Sequence, residues 1–255
     1  MDRDEILQDR EDRPVIRRGA TVRHPRQDWT PAVHSLLDHL YAVGFHRVPR
    51  VLGLDGNWEV LSYLEGESGP DGWAKVVDEK GLAASARMLR EYHDAVAGWN
   101  PPTPPVWFDG RTGTGGEGEI VCHGDYGPWN IVWQGTTPVG LLDWEYAHLA
   151  PPSHDVYYAL QYVAPFRRDE ECLRWLRYPA PPDRRRRTEI FAAAYGWTSL
   201  DNVVDEVIAV QRAGLETMRQ LAAQGQPRQL TTLAQGWAQV VERDIAWARE
   251  NRALF

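Results

Sequence analysis

The residues best suited to chemistry are concentrated in one stretch, Val121-Cys-His123-Gly-Asp125-Tyr-Gly-Pro-Trp-Asn130-Ile-Val-Trp, with Leu141-Leu-Asp143-Trp144-Glu145 following. Asp125 and Asn130 lie five positions apart on a tight Gly- and Pro-containing loop, so both can face one point. Asp143 comes 13 positions after Asn130, at the end of a short apolar strand over 139–142 that returns it to the same place. Transfer of a phosphoryl group from ATP needs such a trio. One carboxylate orients the acceptor hydroxyl and takes its proton, and a carboxylate with an amide oxygen holds Mg²⁺ against the phosphates. Asp125 fits the first role, and Asn130 with Asp143 the second. His123 is expected to support the loop by hydrogen bonding. The bland alternative is a strand–turn–strand with an incidental Asn and Asp.

Elements on both sides must position this loop. Residues 14–24 read as two short strands about a Gly19-Ala20 turn, and Pro25, lacking a ladder donor, ends the second. Thr30-Pro31 opens a helix whose stripe is Val33, Leu36, Leu37 and Leu40, and Gly44 closes it. Strands over 48–54 and 58–64 follow, joined by Asp55-Gly56-Asn57. Residues 65–72 hold three Gly and a Pro, the composition of a connection between lobes. A single helix is expected over 73–96, with Leu82, Leu89, His93 and Val96 on one face. After Pro151-Pro152 the pattern is helical, over 155–163, 183–195, 200–223 and 230–249. Strands first and helices after imply an α+β, two-lobed architecture, with a small antiparallel N-lobe over 1–65 and a helical C-lobe over 66–255.

On these residues the chain resembles the aminoglycoside phosphotransferase and choline kinase-like family, whose fold is related to that of protein kinases. The resemblance rests on His123-Gly-Asp125-x4-Asn130 with Asp143-Trp144-Glu145. It extends to Pro49-Arg50-Val51-Leu52, to the hinge-like run 61–66, to Leu89-Arg90-Glu91-Tyr92-His93, and to Asp155 as a structural aspartate. It implies ATP and Mg²⁺ as cofactors and a small-molecule hydroxyl as acceptor. It also implies adenine contacts along Ser62, Tyr63, Leu64 and Glu65. The family's Gly-rich strand pair has no counterpart here, and its phosphate-holding lysine finds its best match in Arg23. The partner glutamate is missing from the following helix, where Val33 and His34 stand. These losses keep a second reading open, a nucleotide-binding pseudoenzyme of the same fold.

Composition excludes other classes. A net charge of −8 disfavours a nucleic-acid binder and suits a cationic small-molecule acceptor. No apolar run approaches the roughly 20 residues of a membrane span, and two cysteines form neither a disulfide framework nor a CxxC pattern, so a cytoplasmic protein is expected. Gly113-Thr-Gly115-Gly-Glu-Gly118 matches G-x-G-x-x-G but follows a Pro-rich loop and leads into a strand, so it reads as a flexible linker. His93-Asp94 and His154-Asp155 suggest a metal phosphohydrolase, yet His93 lies on an apolar helix stripe, where a packed histidine is the commoner outcome. Arg184 to Arg187, capped by Asp183, read as a solvated helix face.

Overall fold

A computed structural model describes residues 4–9, 13–101, 103–198 and 200–255. The chain opens with strands β1 (Glu5–Gln8), β2 (Val15–Arg18) and β3 (Thr21–Pro25), then helix α1 (Thr30–Ala42), β4 (Val51–Asp55) and β5 (Trp58–Ser62). These five strands make one antiparallel sheet in the order β1-β2-β3-β5-β4. Strand β1 lies in the charged N-terminal stretch, where sequence alone suggested no element. Its Ile6 and Leu7 remain largely exposed, so the strand is held by ladder pairing to β2 rather than by burial. Helix α1 buries Val33, Leu36, Leu37 and Leu40, each worth about 1.5–3 kcal/mol of hydrophobic stabilisation.

The helix expected over 73–96 is two helices, α2 (Gly72–Val77) and α3 (Glu79–Val96), broken at Asp78. The Asp78 backbone is extended, and its carboxylate accepts from the Lys80 N–H to cap α3. A start so close to α2 has a steric condition: a Cβ on Gly72 would lie 1.9 Å from the Pro128 carbonyl oxygen. Two short strand pairs follow: β6 (Ile120–Cys122) pairs β9 (His148–Ala150), and β7 (Ile131–Gln134) pairs β8 (Thr137–Leu141). The rest is helical: α4 (Ser153–Val163), α5 (Asp169–Trp175), α6 (Arg184–Tyr195), α7 (Val203–Ala223), α8 (Pro227–Ala234) and α9 (Trp237–Glu250). The single helix expected over 230–249 is thus α8 and α9, separated at Gly236, whose φ of 88° only glycine adopts without strain. Among the described residues no helix is long and apolar enough to cross a membrane.

One extended core runs through both layers, from Leu36 and Leu40 of α1 to Leu82 and Leu89 of α3, Val156 and Leu160 of α4, and Phe191 of α6. The arginine run at the start of α6 departs from its expected solvated face. Arg184 and Arg187 are 3% and 5% exposed and act as staples between elements. Arg184 donates to the carbonyls of Pro165 and Arg167, and Arg187 to those of Val76, Val77 and Val163. Guanidinium donors satisfy carbonyls left over at helix ends, which a helical wheel cannot foresee.

Candidate active site

The loop carrying His123 and Asp125 is fixed from below by α3 and α4. Tyr92 of α3 donates its hydroxyl to the Val121 carbonyl, and Tyr126 donates to the Ser85 carbonyl at 2.8 Å. Asp155 of α4 is fully buried and accepts from the backbone N–H groups of His123 at 2.7 Å and Gly124 at 2.9 Å. Gly124 has φ of 78°, and a Cβ there would come within 2.1 Å of the Tyr146 carbonyl oxygen, so only glycine lets the loop pass. His93 and Cys122 lie with Asp155 close enough to suggest a metal. Each is already committed: His93 to Asp155 and Tyr195, Cys122 to the Ala150 and Pro151 carbonyls. This cluster is a structural anchor.

His123 does what its position suggested. Its Nδ1 accepts from the Asp125 N–H at 3.2 Å, and its Nε2 bonds the Leu142 carbonyl at 2.8 Å. Burial lowers its pKa, which keeps the ring neutral in the tautomer these bonds require. The ring thereby ties the Asp125 loop to the strand end that delivers Asp143.

The β7–β8 hairpin brings the trio together. Ile131 pairs with Leu141, and the Leu142 N–H donates to the Asn130 carbonyl at 2.8 Å, so Asp143 stands beside Asn130. Asp143 has a left-handed backbone, φ 57°, a strained conformation for a non-glycine that costs about 1–3 kcal/mol. The Asn130 amide donates to both the Asp125 carbonyl and its Oδ2, at 2.9 and 2.8 Å, which leaves its own carbonyl oxygen for another partner. Tyr158 of α4 donates its hydroxyl to the other Asp125 oxygen. Burial, reinforced by the charge of Asp143, pushes the Asp125 pKa up to about 7 against the hydrogen bonds from Tyr158, Asn130 and Trp129.

Asn130 and Asp143 line a cleft of about 540 Å³ between the sheet and the helical lobe, and Asp125 lies behind them, bonded to Asn130. Val15, Val22, Leu61, Ser62, Tyr63, Leu64 and Leu142 line its apolar end, and Arg13, His24, Glu59, Asn130, Asp143 and Glu145 its polar end. Two sequence-predicted residues are not there. Arg23 pairs with Asp55 at 2.5 Å on the other face of the sheet, because alternation along β3 turns Val22 and His24, not Arg23, into the cleft. Glu65 directs its side chain to Arg17 at 2.9 Å, outside the cleft. The Gly-rich run 113–118 also lies away from the cleft. It is no slack linker, since the buried Trp107 indole donates to the Gly113 carbonyl and Glu119 accepts from the Gly116 N–H.

Sequence reasoning missed five residues of this end: Arg13, His24, Glu59, Tyr158 and Arg228. Glu59 pairs with His24 across β3–β5 and bonds His34 of α1 at 2.9 Å. Burial opposes its ionisation, yet the His34 hydrogen bond leads the influences that outweigh it and hold its pKa below the ordinary value. A lone glutamate between Trp58 and Val60 in an apolar strand was the available signal. Arg228, in contrast, sits 83 positions from its partner Glu145, with no sequence signal to connect them.

Residues 110–191 match the model of the phosphotransferase enzyme family. The trifolitoxin immunity protein of Rhizobium leguminosarum bv. trifolii is 41% identical over 138 residues, 52% of this chain and 51% of that protein, so the match spans about half the relative's length. Among solved structures, the GDP and kanamycin complex of APH(2")-IIIa superimposes with a TM-score of 0.64 at 15% identity, covering 96% of this chain and 93% of the other. Amicoumacin kinase, in complex with AMP-PNP, Ca²⁺ and its ligand, gives 0.62 at 10% identity over 85% and 80% of the two chains. A choline/ethanolamine kinase family protein from Mesorhizobium loti gives 0.57 at 15% identity, over 98% and 93%.

Proposed function

We propose that this chain, whose residues 110–191 match the phosphotransferase enzyme family model and whose two-lobed α+β fold is that of the aminoglycoside phosphotransferases, belongs to that family and moves the γ-phosphoryl group of ATP to a hydroxyl of a small molecule. The observation that carries this is the assembled trio: Asn130 and Asp143 line an interlobe cleft, and Asp125 is bonded to Asn130 at 2.8 Å directly behind it. The lobes are 1–65 and 66–255. The adenine lies against the apolar end, among Val22, Leu61 and Leu142, with the backbone of 62–64 at its edge.

Asp125 takes the proton of the acceptor hydroxyl as its oxygen attacks. Tyr158 and Asn130 fix the two carboxylate oxygens, so the base is positioned before the acceptor arrives. The Asn130 carbonyl oxygen and the Asp143 carboxylate are hard donors side by side, as a small divalent cation requires. Bound there, Mg²⁺ would offset the charge on the transferring phosphoryl oxygens. His123 keeps Asp125 and Asp143 in register. The pseudoenzyme reading is disfavoured, because a binding module has no need of a buried, doubly braced Asp125.

The relatives' names point to one class of acceptor: trifolitoxin, kanamycin and amicoumacin are a toxin and two antibiotic ligands. An antibiotic-like or amino-alcohol hydroxyl is therefore the acceptor to screen first. The nucleotide step is tested by thermal unfolding with ATP plus Mg²⁺ against ATP plus chelator. At a hundredfold excess over Kd, ligand stabilises by about 2.7 kcal/mol, a rise of roughly 5–10 °C for a chain of this size. Equal melting with metal and with chelator would overturn the reading.

A further inference from the structure

The chain has two lysines, and neither lines the cleft: Lys75 pairs with Glu67, and Lys80 is exposed at the start of α3. A polyphosphate chain held in this cleft must then find its cation among arginines and histidines. His24 faces the cleft, but burial lowers its pKa and leaves the ring neutral. Arg23 faces away. Arg228 enters from α8 and is 39% exposed. Among the described residues Arg13 remains, directly before β2, with a side chain only 13% exposed.

The guanidinium of Arg13 pairs with Glu145 and lies 3.6 Å from Asp143 Oδ1, at the polar end of the cleft. Its Nε is buried and has no hydrogen-bond partner. A buried guanidinium N–H without an acceptor is unfavourable, so the resting arrangement leaves a donor waiting for an oxygen. Arg228 also reaches Glu145, at 3.3 Å. Among the described residues, Asp143 and Glu145 thus face the guanidinium groups of Arg13 and Arg228.

We propose that Arg13 is the polyphosphate ligand of this cleft, the role the family resemblance gave to Arg23, and that it rests on the carboxylates of Asp143 and Glu145 until nucleotide and metal arrive. The proposal rests on the nucleotide reading above. A divalent cation at Asn130 and Asp143 replaces the positive charge that Arg13 supplies to Asp143. The guanidinium, now freed from one carboxylate, turns its Nε and Nη donors to phosphate oxygens, which its planar fork matches in pairs. Arg13 and the metal therefore compete for Asp143 in the empty cleft and cooperate when phosphates are present.

Opposite signs in two titrations test this. Binding of adenosine and of AMP-PNP, each with Mg²⁺, is measured for wild type, Arg13→Gln and Arg13→Lys, and Mg²⁺ alone is titrated into each. Arg13→Gln is expected to weaken AMP-PNP about 10- to 100-fold, the value of one charge-assisted hydrogen bond, while adenosine binds unchanged. Arg13→Lys keeps the charge without the fork and falls between. Mg²⁺ alone binds Arg13→Gln more tightly than wild type. Equal losses for adenosine and AMP-PNP would make Arg13 a structural residue and overturn the proposal, as would unchanged AMP-PNP affinity in Arg13→Gln. A wild type that binds neither nucleotide nor nucleoside would instead sink the nucleotide reading, and the proposal with it.

Discussion

Replacing Asp155 by alanine should do more damage than any other single change to the site, although Asp155 touches no substrate. The carboxylate is completely buried and accepts from the N–H groups of His123 and Gly124 at 2.7 and 2.9 Å and from His93 at 3.2 Å. Burial opposes its ionisation, but the hydrogen bond from His93 leads the influences that hold its pKa well below the usual carboxylate range. Asp155→Ala orphans two backbone donors and a histidine in a site no water need reach. At about 1–3 kcal/mol for each lost acceptor, the cost is about 3–5 kcal/mol, or a melting point lower by roughly 6–20 °C. Asp155→Asn keeps one acceptor and should fall between. A group with a depressed native pKa stabilises above its unfolded pKa and loses that contribution as pH falls through the native value. The gap between wild type and Asp155→Ala should accordingly be full at pH 7 and shrink below about pH 4. Melting followed by tryptophan fluorescence at both pH values reads this directly. An alanine variant that melts within about 2 °C of wild type at pH 7 would refute the anchoring argument.

Other outcomes follow from the same geometry. Asp143→Ala should remove the effect of Mg²⁺ on nucleotide affinity while the fold persists, since its strained φ of 57° contributes nothing to stability; ATP titrations with and without Mg²⁺ check this. Deleting 111–117 should lower the melting point, because it removes the Gly113 acceptor of Trp107 and the Arg111 bond to the Leu149 carbonyl, yet leave nucleotide affinity unchanged. Lost affinity in a folded deletion variant would show that the Gly-rich run reaches the phosphates. Asp244 is 4% exposed, and burial raises its pKa to about 6, with Arg167 and Arg243 no closer than 3.9 and 4.0 Å. A raised carboxylate costs stability as pH rises from its unfolded to its folded pKa, so Asp244→Asn should melt higher than wild type at pH 7 and match it near pH 4. A variant less stable at pH 7 would mean the ion pairs outweigh the burial.

What the sequence revealed of the site was its locally encoded part. Asp125, Asn130 and Asp143 were legible because one loop and one hairpin set their geometry, and both are written within about twenty residues. Ser62 to Leu64, expected at a hinge, line the cleft. Arg23 faces away from it, as the alternation of β3, with Val22 and His24 on the shared face, already required. Arg13, Arg228 and the buried arginines of α6 were illegible for a different reason. A long charged side chain reads as solvent-facing until tertiary structure shows which carbonyl or carboxylate its head reaches. Helix breaks followed local cues that periodicity overrode: an extended, capping Asp78 and a left-handed Gly236. Strand β1 depends on its pairing with β2, and no apolar pattern announced it.

The central claim, that Asp125 activates an acceptor in a competent phosphotransferase site, is tested most directly by following the γ-phosphoryl group itself. Wild type and Asp125→Asn are incubated with Mg²⁺ and γ-labelled ATP, alone and with antibiotic and amino-alcohol acceptors, and ATP affinity is measured in parallel. The substitution keeps the size of the side chain and its bond partners but removes the proton acceptor, so rate should fall about 10²- to 10⁴-fold with ATP affinity little changed. In the wild type, label should leave ATP, slowly for water and faster for a true acceptor. Label that stays on ATP in the wild type, or that leaves equally fast with Asp125→Asn, would contradict the account.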